Sequence, residues 1–229
     1  MFEYERTEEQ LTLSRPGTRW LSTGVNGGYT TAPRAHNLTV PDGFGRTDLL
    51  TYATERIGEE PMGPTLLTAV RQTNAKGARD GPVEVVATAG VSNPAVLSMA
   101  ETGGNDREVE SDEPTGPGTV NVFVGARRTL SDSGLAGLLS TAVEAKTATL
   151  LGLVGCTGTT SDAIAVGCGQ VGEPTAFAGS ATAIGNAARV CVRDAVRASL
   201  ESRYEGSPPA PETTADGIET TGNATVFDP

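Results

Sequence analysis

The chain has 229 residues, a formal net charge of -11 and a hydrophobic share of 37%, enough for one sizeable domain with polar insertions. Its basic residues are almost all arginine, with only Lys76 and Lys146 as lysines, and its sole histidine is His36. A surface this acidic lacks the electrostatic footprint for a phosphate backbone, so nucleic acid is not an expected partner. One histidine also excludes any multi-histidine metal centre, and the residues demand no metal or cofactor.

An acidic, arginine-biased surface retains water and counterions where salt screens ordinary repulsion, which points to a high-salt cell. The N-terminal MFEYERTEEQ has no apolar signal core, and no apolar run approaches the roughly 20 residues that span a bilayer. Cys156, Cys168 and Cys191 form no paired framework and suit a reducing cytoplasm. The expectation is a cytoplasmic protein without a membrane partner, with a homo-oligomer left open.

In chain order, LTLS and TRWLST alternate polar and apolar residues and predict short strands, with Trp20 in the core. A turn follows at Val25–Tyr29. RTDLLTYATERIG then predicts a helix, with Leu49, Leu50, Ala53 and Ile57 at helical spacing and Gly58 ending it. TLLTAVR and PVEVVATAG predict strands. Residues Glu101–Gly118 predict a solvated acidic loop, and TVNVFVGA returns as a strand. A long helix is expected from Ser131 or Asp132, buried along Leu135, Leu138, Leu139, Ala142 and Val143. AIAVGC predicts another strand. The last helix, about Ala181 to Tyr204, places Ile184, Ala187, Ala188, Cys191, Ala195, Val196 and Leu200 on one face. The expected architecture is a single α/β domain over residues 1–205, its mixed β-sheet packed with helices, followed by a disordered acidic tail over 206–229.

There is no G-x-S-x-G elbow, P-loop, H-E-x-x-H or dinucleotide fingerprint. His36 is expected to be a surface or structural histidine. What stands out is three turns rich in Gly, Thr and Asn at strand ends: Ser22–Gly28, Thr88–Pro94 and Cys156–Asp162. Glycine lets backbone N–H groups approach a ligand, and Asn and Thr side chains offer donors and acceptors to a ligand bearing amides. The expectation is that the three converge on one binding rim.

Taken in order, W-L-S-T-G-V-N-G-G-Y, A-H-N-L-T-V, V-V-A-T-A-G-V-S-N-P-A, G-T-V-N-V-F-V, L-S-D-S-G-L-A-G-L-L-S-T-A-V-E-A-K-T-A-T-L, C-T-G-T-T-S-D-A-I-A-V and F-A-G-S-A-T-A-I-G resemble the adenosylcobinamide amidohydrolase family. They cover most of the chain from Trp20 to about Arg197, and E-A-K-T-A followed by T-G-T-T-S-D is the strongest pair. The chain departs from the family in Cys156 before T-G-T, and in lacking a basic residue after the second Thr of F-A-G-S-A-T-A-I-G. The resemblance implies hydrolysis of the amide joining the aminopropanol arm of adenosylcobinamide to the corrin ring, giving adenosylcobyric acid, with the corrinoid as a small-molecule substrate.

Amide hydrolysis needs a nucleophile, oxyanion donors and a proton for the leaving amine. With histidine nearly absent, carboxylates are the natural acid–base groups. Asp162, between a polar turn and an apolar strand, is the candidate base, with Glu144 and Thr160 as further catalytic candidates. Thr159, Thr160 or Ser161 are alternative nucleophiles to water, and Cys156 ranks last for want of a histidine. Lys146, on the long helix like Glu144, reads by helix arithmetic as a solvated charge. Candidate substrate-binding residues are Ser22, Thr23, Asn26, Gly27, Gly28, Asn37, Thr88, Asn93, Asn121, Thr157 and Thr159. Backbone N–H groups of the Gly27 or Gly158 turns would serve the oxyanion. Two alternatives stand beside this reading: a corrinoid-binding protein without chemistry, and an unrelated hydrolase that cleaves itself before a Thr.

Overall fold

The computed structural model describes residues 1–99, 118–208, 217–220 and 224. All but one residue of the acidic loop expected at 101–118 lies outside the described residues. Eight strands form one mixed sheet: β1 (Glu3–Arg6), β2 (Gln10–Ser22), β3 (Gly28–Thr39), β4 (Thr65–Thr68), β5 (Lys76–Asp80), β6 (Val83–Ala89), β8 (Val120–Ala126) and β10 (Ala163–Cys168). The strand order is β4-β3-β2-β10-β8-β6-β5, with β1 paired to β2. The β8–β10 and β3–β4 pairs are parallel and the rest antiparallel. A small second sheet joins β7 (Pro94–Leu97), β9 (Gly158–Thr159) and β11 (Ile218–Thr220). Thus Ile218–Thr220, within the stretch expected to be an unstructured tail, runs parallel to β7.

The period-2 alternation of the central strands builds two cores. Val83, Val85, Ala87 and Ala89 of β6, Val120, Val122 and Val124 of β8, and Ile164 and Val166 of β10 pack against α2 (Asp132–Val154) and α3 (Ala183–Tyr204). The intervening Val86, Phe123 and Ala165 face the other way, onto Leu11, Leu13, Trp20, Ala32, Ala35 and Leu66 from β2, β3 and β4. The result is an α/β domain in layers, helices over one face of the sheet and its own folded-over strands over the other.

The two short strands expected around LTLS and TRWLST are one long strand. A register shift between Ser14 and Thr18, with Gly17 at φ +67°, bends β2 so that Leu11–Ser14 pair with β1 and Arg19–Ser22 with β10. Trp20 is fully buried, donates from Nε1 to the Ala32 carbonyl at 3.1 Å and stacks on Phe2 with ring centroids 5.2 Å apart. Gly125 and Gly167 make room for the stack, since a Cβ there would lie 2.3 Å from Phe2 and 2.6 Å from Trp20.

Helix α1 (Leu49–Ile57) ends at Gly58 in the left-handed conformation, as its sequence predicts. Helix α2 is capped by the Ser131 side chain, which accepts from the Gly134 N–H. Its buried face is rotated from the expected stripe: Leu135, Leu138 and Ala142 are buried but Val143 is 39% exposed, while Thr141, Lys146 and Thr149 turn inward. Leu151 and Leu153 are also exposed, so apolarity runs around this helix and cannot reveal its inner face. By length and composition α2 would suffice to cross a membrane, against the expectation that no run approaches that length. Helix α3 starts at the Thr182 cap and buries every residue assigned to its inner face.

His36, on β3, is structural. It is buried, its Nδ1 lies 3.1 Å from Thr12 Oγ1, and burial, helped by the nearby Arg34 charge, pushes its pKa down to about 4. The unfolded chain takes up that proton near 6.5, so stability should fall as pH drops from about 6.5 towards about 4. Denaturant unfolding across that range should show a loss on the order of 3 kcal/mol that His36→Gln lacks. Equal pH profiles for the two proteins would contradict this.

Candidate active site

The starts of β8 and β10 and the ends of β2 and β6 lie at one edge of the sheet, because β8 and β10 are parallel and their neighbours run against them. The expected convergence is found there. The Thr23 N–H donates to the Ile164 carbonyl at 2.9 Å, and Thr23 Oγ1 accepts from the Ile164 N–H at 3.0 Å. From the other flank, Asn93 Nδ2 donates to Thr160 Oγ1 at 2.5 Å, while the Thr157 N–H and hydroxyl both donate to the Ala95 carbonyl. All three bends therefore meet around residues 157–164.

Asp162 is the centre of this arrangement. Its Oδ1 accepts from the Val120 N–H at 2.8 Å and from the Thr159 hydroxyl at 2.5 Å. Its Oδ2 accepts from the Thr159 N–H at 3.1 Å and from Lys146 Nζ. Lys146 is buried and Asp162 nearly so, with side chains 8% and 11% exposed respectively. Gly158 has its reason here: a Cβ would lie 2.6 Å from Asp162 Oδ2 and 3.0 Å from Lys146 Nζ. The T-G-T-T-S-D turn is thus a carboxylate clamp, with Gly158 leaving the space and Thr159 giving two donors.

Asp162 also lines a cavity of about 420 Å³. Thr23, Thr119 and Ser161 form its polar wall with Asp162, while Phe44, Leu49 and Leu67 supply apolar surface and Arg46 stands at the side. The Ser161 hydroxyl lies 2.9 Å from Thr119 Oγ1 and donates to the Gly118 carbonyl at 3.2 Å.

The other expected site residues are distributed as follows. Thr23 lines the cavity; Ser22, which accepts from the Gly24 N–H at 3.0 Å, and Asn26, Gly27 and Gly28 shape the bend behind it. Asn26 holds a positive φ of 52°, and a Cβ on Gly27 would lie 2.6 Å from the Ser22 carbonyl oxygen. Asn37, Thr88 and Asn121 do not reach the cavity but form a buried network. Asn37 Nδ2 donates to Thr88 Oγ1 and Gln72 Oε1, and Asn121 Nδ2 donates to Asn37 Oδ1 and to the carbonyl of Leu67, a cavity residue. They hold the wall from behind. Asn93, Thr157, Thr159 and Thr160 likewise lie outside the cavity lining and build the clamp.

Glu144 is not part of this cluster. It faces solvent, 61% exposed, and pairs with Arg189 of α3 at 3.3 Å. Two positions on, a 100° turn per residue carries Lys146 to the inner face, so of the two charges that helix arithmetic reads as solvated, only Glu144 is. Cys156 is buried, and burial pushes its thiol up, away from a nucleophilic thiolate. Among the described residues no group of His, Cys, Asp and Glu is arranged to hold a metal ion.

Gly158→Ala should cost about 1–3 kcal/mol by crowding the ion pair. Gly152→Ala on α2, where a Cβ meets nothing within 4 Å, should cost nothing. Chemical denaturation in concentrated salt compares the two; equal effects would deny the clamp.

Residues 2–208 match the adenosylcobinamide amidohydrolase family. Over the full length of both chains, the protein is 47% identical to an adenosylcobinamide amidohydrolase of Halobacterium salinarum. It is 29% identical to an adenosylcobinamide amidohydrolase of Methanosarcina mazei, over 86% of this chain and 98% of that one. With the family spanning nearly the whole sequence, and its strongest motif pair meeting as a buried Lys146–Asp162 contact at a cavity, this chain belongs to the adenosylcobinamide amidohydrolase family.

Proposed function

We infer that the protein hydrolyses the amide between the corrin ring and the aminopropanol arm of adenosylcobinamide. Water adds across the bond: hydroxyl goes to the ring-side carbonyl carbon, giving adenosylcobyric acid, and the C–N bond breaks with a proton passing to the departing aminopropanol nitrogen. The observation that carries the reading is a buried, lysine-paired carboxylate opening onto a cavity lined by Thr23, Thr119 and Ser161. A cavity of about 420 Å³ suits an arm of the macrocycle, leaving the ring at its mouth.

Water is favoured as the nucleophile because, among the described residues, no side-chain hydroxyl both touches Asp162 and lines the cavity. Thr159 touches it from outside the lining, whereas Ser161 lines the cavity but bonds to Thr119 and Gly118. Asp162 is the general base of this proposal. All four acceptor positions on its two oxygens are occupied, so one donor must turn away for it to take a proton. The Thr159 hydroxyl hydrogen can do that by rotation about its C–O bond. Lys146 acts as a positioning residue, fixing Asp162 and keeping its charge neutralised within the wall.

The catalytic domain in this reading is residues 1–205, a boundary placed just after α3 ends at Tyr204. A cytoplasmic location in a high-salt cell is supported by the arginine-biased acidic composition and by three buried free cysteines. The relative from Halobacterium salinarum fits the same setting.

The test is turnover of adenosylcobinamide, with adenosylcobyric acid and aminopropanol as products. Asp162→Asn should lower kcat by about 10²–10⁴-fold, whereas Cys156→Ala should stay close to the parent. Near-normal turnover by Asp162→Asn would remove it as the base, and an unaltered substrate with the parent protein would leave only corrinoid binding.

A further inference from the structure

The sheet has two edges that face each other without pairing. Among the described residues β1 pairs only with β2 and β5 only with β6, and between them opens a second cavity of about 470 Å³. It lies at the Glu84 end of β6, whereas the catalytic cavity sits beyond the Ala89 end. Tyr4 and Arg6 of β1, Lys76 and Arg79 of β5, and Glu84 of β6 line it together with aliphatic Leu11, Ala75, Ala78 and Val86.

The charge of this cavity runs against the rest of the chain. With net charge -11 overall and only two lysines, the protein places one of them here beside two arginines. Glu84, almost fully buried, is already engaged: it accepts from the Phe2 N–H, from the Tyr4 hydroxyl at 2.9 Å and from Arg79 Nε at 3.2 Å. Arg6 and Lys76 have no ion-pair or side-chain hydrogen-bond partner among the described residues. Cavities that bind small molecules combine an apolar floor with a few convergent polar groups, in the size range that this one occupies.

We propose that this cavity is a second ligand site, taking a small organic phosphate monoester. Its phosphate meets Arg6 and Lys76, and its organic part fills the remaining cavity between β1 and β5. A phosphate monoester carries about -1.5 to -2 charges near neutrality, which matches two unpaired cations better than a single carboxylate does. Arginine adds a planar fork suited to phosphate oxygens, and lysine a compact charge.

Isothermal titration of the full chain with adenosine 5′-monophosphate, in the lowest salt that keeps it folded, tests the proposal, with adenosine and inorganic phosphate as separate arms. The monophosphate should bind at one equivalent and each fragment at least about tenfold more weakly, with affinity falling as salt rises. Arg6→Gln with Lys76→Gln should weaken binding about tenfold or more, and Arg6→Gln alone, on an exposed edge residue, serves should the double variant unfold. Arg34→Gln, a surface cation paired with Glu59, and Arg46→Gln in the other cavity should leave binding unchanged. No binding of the monophosphate, or binding indifferent to Arg6 and Lys76, would overturn the proposal and leave these cations as guards against edge-to-edge strand pairing. Loss of binding in Arg46→Gln would place the nucleotide in the catalytic cavity instead.

Discussion

The buried contact between Lys146 and Asp162 is the constraint around which this end of the molecule is organised. Removing two charges from water is costly unless each finds its counter-charge and the remaining lone pairs find donors. Here the donors are the Val120 N–H at the start of β8 and both the N–H and hydroxyl of Thr159. One carboxylate therefore joins the long helix, the turn before β10 and the first residue of β8. Few other ways of packing these segments satisfy all four contacts, so the cavity wall is fixed by electrostatics as much as by apolar burial.

A second polar set supports the opposite wall. Asn37, Thr88, Gln72 and Asn121 are buried together between the folded-over strands and the central sheet, and their outermost bond reaches the Leu67 carbonyl. Buried amides left unpaired would cost about 1–3 kcal/mol each, so the network specifies how β3 and β4 lie over β6 and β8. The long, bulged β2 makes that fold-over geometrically available, because it belongs to one layer before Ser14 and to the other after Thr18. The cavity is what remains between a wall held by an ion pair and a wall held by amides.

Much of the fold was legible from local pattern. β6, β8 and β10 are short β-branched or small-residue runs, α1 carries its own glycine stop, and the Ser131 and Thr182 caps open the two long helices. Strands whose sequence does not alternate cleanly were not legible: β3 holds polar Asn37 and His36 inside, and β5 is an edge strand with charges at Lys76, Arg79 and Asp80. For the site, the three bends and Asp162 could be read, since turn chemistry is local. Asn37, Thr88 and Asn121 lie in a buried network outside the cavity lining, which their sequence does not reveal, because an amide-rich segment looks the same whether it meets a ligand or another buried amide. Lys146 was hidden because α2 is apolar on most sides, so nothing in its periodicity marks the inner face. Only its pairing in sequence with T-G-T-T-S-D hinted at the contact. Phe44, Arg46 and Leu49 came to the cavity through tertiary folding alone, with no spacing rule linking them to Asp162.

A double-mutant cycle on Lys146→Met and Asp162→Asn, followed by denaturant unfolding in concentrated salt, tests the central claim most directly. Breaking either partner alone should cost about 3–5 kcal/mol, because it strands a buried charge. The double variant should lose clearly less than the sum of the two. Single losses that add to within about 0.5 kcal/mol would show that the two side chains do not act as a pair, and would contradict the account.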